Sequence, residues 1–216
     1  MLKNIFLFIV SLTISGLITI TLYFLLSPSN TEFIKPFFPK TLFSLQNAPT
    51  QSIVGNVTLI SGSVAWQSRI SPYSILINSP IKLQQGEEID TQGNGQTIVS
   101  FAKVGIITFS PDTQINFIQT LSSNFVVQQK QGSAVYEKNG DIPMNIRGLD
   151  LLINLNSGKS IISVNPKNFQ IALSVETGSA TVAFNDTGNL TNILTISAGS
   201  EYIFNNNTKL GVINKL

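Results

Sequence analysis

The densest acidic cluster in the chain is Glu87, Glu88 and Asp90. Along a strand, alternation puts Glu88 and Asp90 on one face and Glu87 on the other, from which a paired-carboxylate hydrolase draws an acid and a base. The same residues equally solvate the start of a strand, and the remaining composition favours that reading. Histidine and cysteine are both absent. Without them there are no His-based triads, thiol nucleophiles, disulfide frameworks, zinc fingers or ordinary transition-metal sites. The run Asp90-Thr91-Gln92-Gly93-Asn94-Gly95 offers oxygen ligands to calcium but lacks the closing bidentate Glu of an EF-hand loop, so it reads as a turn. The lone tryptophan, Trp66, with Tyr73 nearby in sequence, offers aromatic faces for a sugar, or else packs at the rim of a core. No catalytic residue, cofactor or metal site is assigned, and the chain is not expected to be an enzyme.

The elements that would hold these residues are short strands. Beyond Gln51 no stretch keeps an i, i+3, i+4 pattern for three turns. Gln170 to Glu176 alternates strictly, with Ile171, Leu173 and Val175 on one face, and Ser179 to Asn185 repeats this with Ala180, Val182 and Phe184. Thr97, Val99 and Phe101 share a face, as do Ile107 and Phe109, then Ile115 and Phe117. Period-two patterning means half-buried strands. Turn formers separate them at Asn94-Gly95, Asn139-Gly140, Asn165-Pro166 and Asp186-Thr187-Gly188. Val99, Phe101, Ile107, Phe109, Leu173, Val175, Val182 and Phe184 are expected to face one shared core. A phrase recurs at Gly62-Ser63-Val64, Gly132-Ser133-Ala134-Val135 and Gly178-Ser179-Ala180, each after another strand-like run, and reads as a tight hairpin around glycine. Many short strands with closely spaced turns indicate an all-β sandwich or barrel.

The first 50 residues differ in kind. Ile5 to Leu26 is a run of 22 uncharged residues, about 33 Å of helix and long enough to cross a hydrocarbon core of about 30 Å. A cleaved signal peptide is the alternative, but its apolar region spans only about 7–15 residues and ends in small side chains. Here Tyr23-Phe24-Leu25-Leu26 stands in that place, so a retained anchor is expected. With four residues before the span and 190 after it, the N-terminus is expected in the cytoplasm and the body outside. Residues 28–50 form a connector rich in proline and phenylalanine, in which Phe33, Phe37 and Phe38 lie beside Lys35 and Lys40. From Gln51 onward eight Lys and two Arg meet ten carboxylates. That balance carries no nucleic-acid footprint.

The order of phrases in the body resembles the FecR-type domain family. Gly55-Asn56-Val57, Gly62-Ser63-Val64 and Leu83-Gln84-Gln85-Gly86-Glu87-Glu88-Ile89-Asp90-Thr91 are similar to the family's opening phrases. Ile107-Thr108-Phe109-Ser110-Pro111-Asp112-Thr113, Gly132 to Tyr136, Val175 to Ala180 and Ile196 to Glu201 follow in the family's order. The chain departs from the pattern at Val104-Gly105-Ile106, where the family carries Asp-Gly-Ser, and at Gly158-Lys159-Ser160-Ile161. The resemblance implies a jelly-roll-like β-sandwich outside the membrane, preceded by one transmembrane helix. With four residues ahead of the span, the chain is not expected to carry the cytoplasmic segment with which family regulators handle a sigma factor.

The expected organisation is an anchor over residues 1–27, the connector over 28–50, the FecR-like domain over 51–206 and a tail over 207–216. The expected role is sensing or protein interaction in the cell envelope, with a structural or adhesive surface protein and a carbohydrate-binding module as alternatives. The expected partners are the membrane, through residues 5–26, and another envelope protein. Polar side chains around Asn185–Thr191 and Asn205–Thr208 mark exposed edge material. Asn189, Thr191, Ile203 and Asn205 are the candidate partner edge, to be recognised by strand pairing rather than charge.

Overall fold

The computed structural model describes residues 51–216 and, ahead of them, Thr13, Ser15, Gly16 and Thr19. The chain divides into two units, Met1–Phe43 and Ser44–Leu216. In the first, the four described residues are helical and exposed, and the Thr19 hydroxyl donates to the Ser15 carbonyl at 2.9 Å. Apart from these four residues, the expected span over Ile5–Leu26 and the connector lie outside the described residues. No described helix is long and apolar enough to cross a membrane.

The second unit is all-β. Its strands are β1 (Gly55–Ser61), β2 (Val64–Gln67), β3 (Ser74–Ile77), β4 (Lys82–Leu83), β5 (Glu88–Thr91), β6 (Gln96–Phe101), β7 (Gly105–Phe109) and β8 (Thr113–Leu121). After them come β9 (Asn124–Lys138), β10 (Met144–Gly148), β11 (Leu151–Asn165), β12 (Gln170–Asn185), β13 (Thr191–Ser197), β14 (Ser200–Asn205) and β15 (Leu210–Lys215). All fifteen are hydrogen-bonded into one large sheet. The last ten residues, set apart above as a tail, contain β15, paired along the whole of β14.

Three strands are too long to lie flat, and each serves two neighbourhoods. The first part of β9 pairs with β8 and, in parallel, β10; its second part pairs with β7 and β11. The second part of β11 pairs with the first part of β12, which in turn pairs with β14, whereas the second part of β12 pairs with β13. The sheet therefore doubles into two half-sheets. One runs β4-β1-β6-β7, then half of β9, β11 and β12, then β14-β15. The other runs β3-β2-β5-β8, then the remaining half of β9, then β10 and the remaining halves of β11 and β12, then β13. Phe101 of the first half meets Phe117 and Phe125 of the second at ring-centroid distances of 5.3 and 4.8 Å. One hydrophobic core fills the space between them.

The recurring glycines sit where the chain passes from one half-sheet to the other. Gly132, Gly158 and Gly178 lie inside β9, β11 and β12 with φ of 84°, 83° and 77°, a left-handed backbone that bends the strand out of its plane. Gly62 and Gly199 do the same between β1 and β2 and between β13 and β14. The hairpin expected at Gly62, Gly132 and Gly178 is corrected accordingly: these are corners within one continuous arm, because the residues flanking each glycine pair with different strands rather than with each other. Register places the corners at opposite ends, since Gly132 pairs with Val164 and Gly158 with Lys138. Where β11, β12 and β14 are not joined by corners, their turns face one another across an open end.

Hydroxyls and one buried amide satisfy the backbone at the Gly132 corner. Thr113 Oγ1 donates to the Ser133 carbonyl at 2.8 Å and accepts from the Ser133 N–H. The Gln129 amide donates to the Gly132 and Ile162 carbonyls at 2.8 and 2.9 Å and accepts from the buried Tyr136 hydroxyl. Burial pushes the Tyr136 hydroxyl far above its ordinary range. Of the eight residues expected in the core, seven are fully buried. Phe184 is half-buried at the open end, 4.7 Å from Phe204 between ring centroids.

Candidate functional site

Strands β13 and β15 close their half-sheets, with no strand beyond them among the described residues. Asp186 N–H donates to the Leu190 carbonyl and Ala198 N–H to the Gly178 carbonyl. In an antiparallel ladder hydrogen-bonded pairs recur at every second residue, so the even-numbered residues of β13 face β12. Thr191, Ile193, Thr195 and Ser197 therefore turn their backbone N–H and C=O outward. The bond from Leu216 N–H to the Gly199 carbonyl fixes β15 likewise, leaving Gly211, Ile213 and Lys215 pointing away from β14. Neither strand carries a proline, and Lys215 is their sole charge. Leu190, Ile193, Leu194, Leu210, Val212 and Ile213 are all exposed.

The four residues expected at the partner edge divide. Asn189, with φ of 61°, occupies the left-handed position of the turn before β13, and Thr191 opens that edge strand. Ile203 is not at an edge: β14 lies between β12 and β15, and Ile203 pairs with Ala172 on one side and Val212 on the other. Asn205 ends the same strand, its Oδ1 accepting from the N–H groups of Asn207 and Thr208 at 3.0 and 3.1 Å. The segment that covers β14 is β15.

The open end holds a cleft of about 480 Å³. Arg147, Asp150, Leu152, Asn185, Asn189 and Lys209 are among its lining residues. Lys209 has φ of 55°, where glycine is the cheaper residue, and its side chain spans to Asp150 at 2.5 Å. Asn206 donates to the same Asp150 carboxylate at 3.1 Å and accepts from the Asp150 N–H. These hydrogen bonds hold the Asp150 carboxyl below the usual carboxylate range, with Arg147 adding to the effect. Asp186 binds the N–H groups of Gly188 and Leu190, each at 2.9 Å, and the Asn192 amide at 3.2 Å. The Leu190 and Asn192 bonds lower its pKa most. The Asn185–Thr191 segment singled out in the sequence lines this cleft, whereas Asn205–Thr208 reaches it only through the bonds of Asn206 to Asp150. Arg147 and Asp150 had no signal of their own; the Gly148-Leu149-Asp150 turn between β10 and β11 brings them there.

Two members of the acidic cluster, Glu87 and Glu88, are engaged by neighbouring strands and turns. Glu87 accepts from the Trp66 indole N–H at 3.1 Å and the Gln84 N–H at 2.8 Å. Burial raises the Glu87 pKa, against the pull of those bonds and of Arg69. Glu88 pairs with Lys130 at 2.5 Å and accepts from Gln114 and Asn116. Asp90 is raised by burial and then by the neighbouring carboxylates of Glu88 and Asp112. Trp66 is half-buried and its N–H is engaged, whereas Tyr73 is exposed. Among the described residues, no group of three acidic, His or Cys side chains is arranged to hold a metal ion.

No protein-family model matches the chain, and no curated protein matches it in sequence. Two crystal structures of a candidate anti-sigma factor from Parabacteroides distasonis ATCC 8503, at 1.65 and 2.50 Å, superpose on it with a TM-score of 0.50. The likeness is one of fold. Identity is 15 and 16%, and each match covers 59% of this chain and 59% of the other.

Proposed function

We propose that the β body is a non-enzymatic recognition module of an envelope regulatory system, FecR-like in kind and jelly-roll-like in architecture. In this reading it is held outside the membrane by residues 5–26, with the N-terminus in the cytoplasm, and engages another envelope protein. The fold likeness to a candidate anti-sigma factor supports a sensing role. The observation that carries the interaction reading is the pair of edges β13 and β15. Natural sheets blunt free edges with charge, proline or bulges, and these two carry almost none of that protection while exposing apolar side chains. An extended segment of a partner gains main-chain hydrogen bonds there and buries its alternate side chains.

The test is crosslinking in intact cells to identify the partner, followed by capture by variants with proline at an outward N–H. Ile193→Pro and Ile213→Pro should each reduce capture strongly while leaving the fold intact. Capture should change little between about 0.05 and 0.5 M salt, because the edges carry little charge. Capture that falls steeply with salt, or that ignores both prolines, would favour the structural or adhesive role instead.

A further inference from the structure

The cleft at the open end carries a second kind of recognition, independent of whether the edges take a strand. Its two carboxylates are spoken for: Asp150 by Lys209 and Asn206, Asp186 by the turn it closes. The Arg147 guanidinium and the Asn189 amide line the cleft and make no hydrogen bond within the described residues. Thr191 donates its hydroxyl to Asn185 Oδ1 at 2.9 Å, which leaves the Asn185 amide protons and the Thr191 oxygen lone pairs for a ligand. Leu152, 43% exposed, pairs across the strands with Ala183 and gives the cleft a small apolar face.

Two cations and two carboxylates cancel, so a strongly charged ligand gains nothing net from the site. Donors and acceptors are interspersed rather than segregated, which suits a group that both donates and accepts, namely a hydroxyl. The planar forks of Arg and Asn match neighbouring hydroxyls in pairs, and the small apolar face matches the C–H side of a ring. The volume lies within the roughly 300–1,000 Å³ of small-molecule sites. We propose that this cleft binds one or two neutral sugar units of a glycan, with Arg147, Asn185, Asn189 and Thr191 reading hydroxyls and Leu152 supporting the ring.

The experiment titrates the purified full chain, kept in a detergent without a sugar headgroup, with lactose, N,N′-diacetylchitobiose and digalacturonate, followed by ligand-observed NMR. Saturable binding of at least one neutral disaccharide is expected below about 10 mM, indifferent to salt. Arg147→Gln and Asn189→Gly should each weaken it about tenfold, as loss of one or two ligand hydrogen bonds does. Glycine suits the left-handed backbone at 189, so that variant keeps the turn; unchanged thermal midpoints confirm both folds. Absence of saturable binding by either neutral disaccharide, or binding that neither variant alters, would overturn the proposal. So would binding of digalacturonate alone with steep salt dependence, since that is carboxylate recognition by Arg147. Edge capture is read on different residues, so either reading can fail without the other.

Discussion

Glycine does two separable things at the corners, and the structure distinguishes them. At Gly178 a Cβ would lie 2.2 Å from the Ser157 carbonyl oxygen, and the backbone is left-handed. At Gly199 the backbone is left-handed too, yet nothing lies within 4 Å of the added carbon. Gly199→Ala should therefore cost only the left-handed conformation, about 1–2 kcal/mol. Gly178→Ala should cost that plus about 1–3 kcal/mol for forced movement of a packed backbone. Urea unfolding of the two variants checks the ordering. Equal costs would mean that the backbone around Gly178 yields freely. The glycines themselves stood out in the sequence, but their role did not. A positive φ serves a hairpin and a corner equally well, and only the identity of the paired strands, far away along the chain, separates the two.

At the scale of the element, strand phase was legible because burial follows period two. Ile171, Leu173 and Val175 face the core, whereas Gln170 and Glu176 are exposed. Which strands form edges was less legible, because sequence does not say how many strands follow. Ile203 reads as edge material only while β15 goes unseen. Its N–H points at β15, as the register of Leu216 with Gly199 requires. Ile203→Pro should then strip a ladder bond and leave the Val212 carbonyl without its donor, costing about 1–3 kcal/mol. Ile193→Pro, at an outward N–H, should cost less than Ile203→Pro. Thermal midpoints of the two variants decide this, and the reverse order would shift the inferred edge phase by one residue. The cleft was half legible for the same reason. Its Asn185–Thr191 wall stood out by composition, but Lys209 comes from the turn after β14, and Arg147 and Asp150 come from the end of β10 and the turn that follows it.

The whole molecule has no histidine and no cysteine, so its stability between about pH 3 and 7 is governed by carboxylates. They pull in opposite directions. Asp150 is held low chiefly by its bonds from Lys209 and Asn206, and Asp186 chiefly by the Leu190 N–H and the Asn192 amide. A group lowered on folding contributes stability that is complete above its ordinary pKa, about 4, and is lost as pH falls below that toward the folded value. Glu87 and Asp90 are raised, each first by burial. A raised carboxyl costs stability at neutral pH, and that cost is recovered as pH falls through its folded value toward its ordinary one. Stability should rise slightly on acidification from pH 7 to between about 4 and 5, then fall below about 4. Urea midpoints at a series of pH values should trace this shallow maximum. Glu87→Gln should flatten the rise without touching the fall, because the two limbs belong to opposite parts of the fold. Asp150→Asn should blunt the fall without touching the rise. A steady loss of stability from pH 7 downward would mean that the surroundings of Glu87 and Asp90 are wetter than their burial indicates.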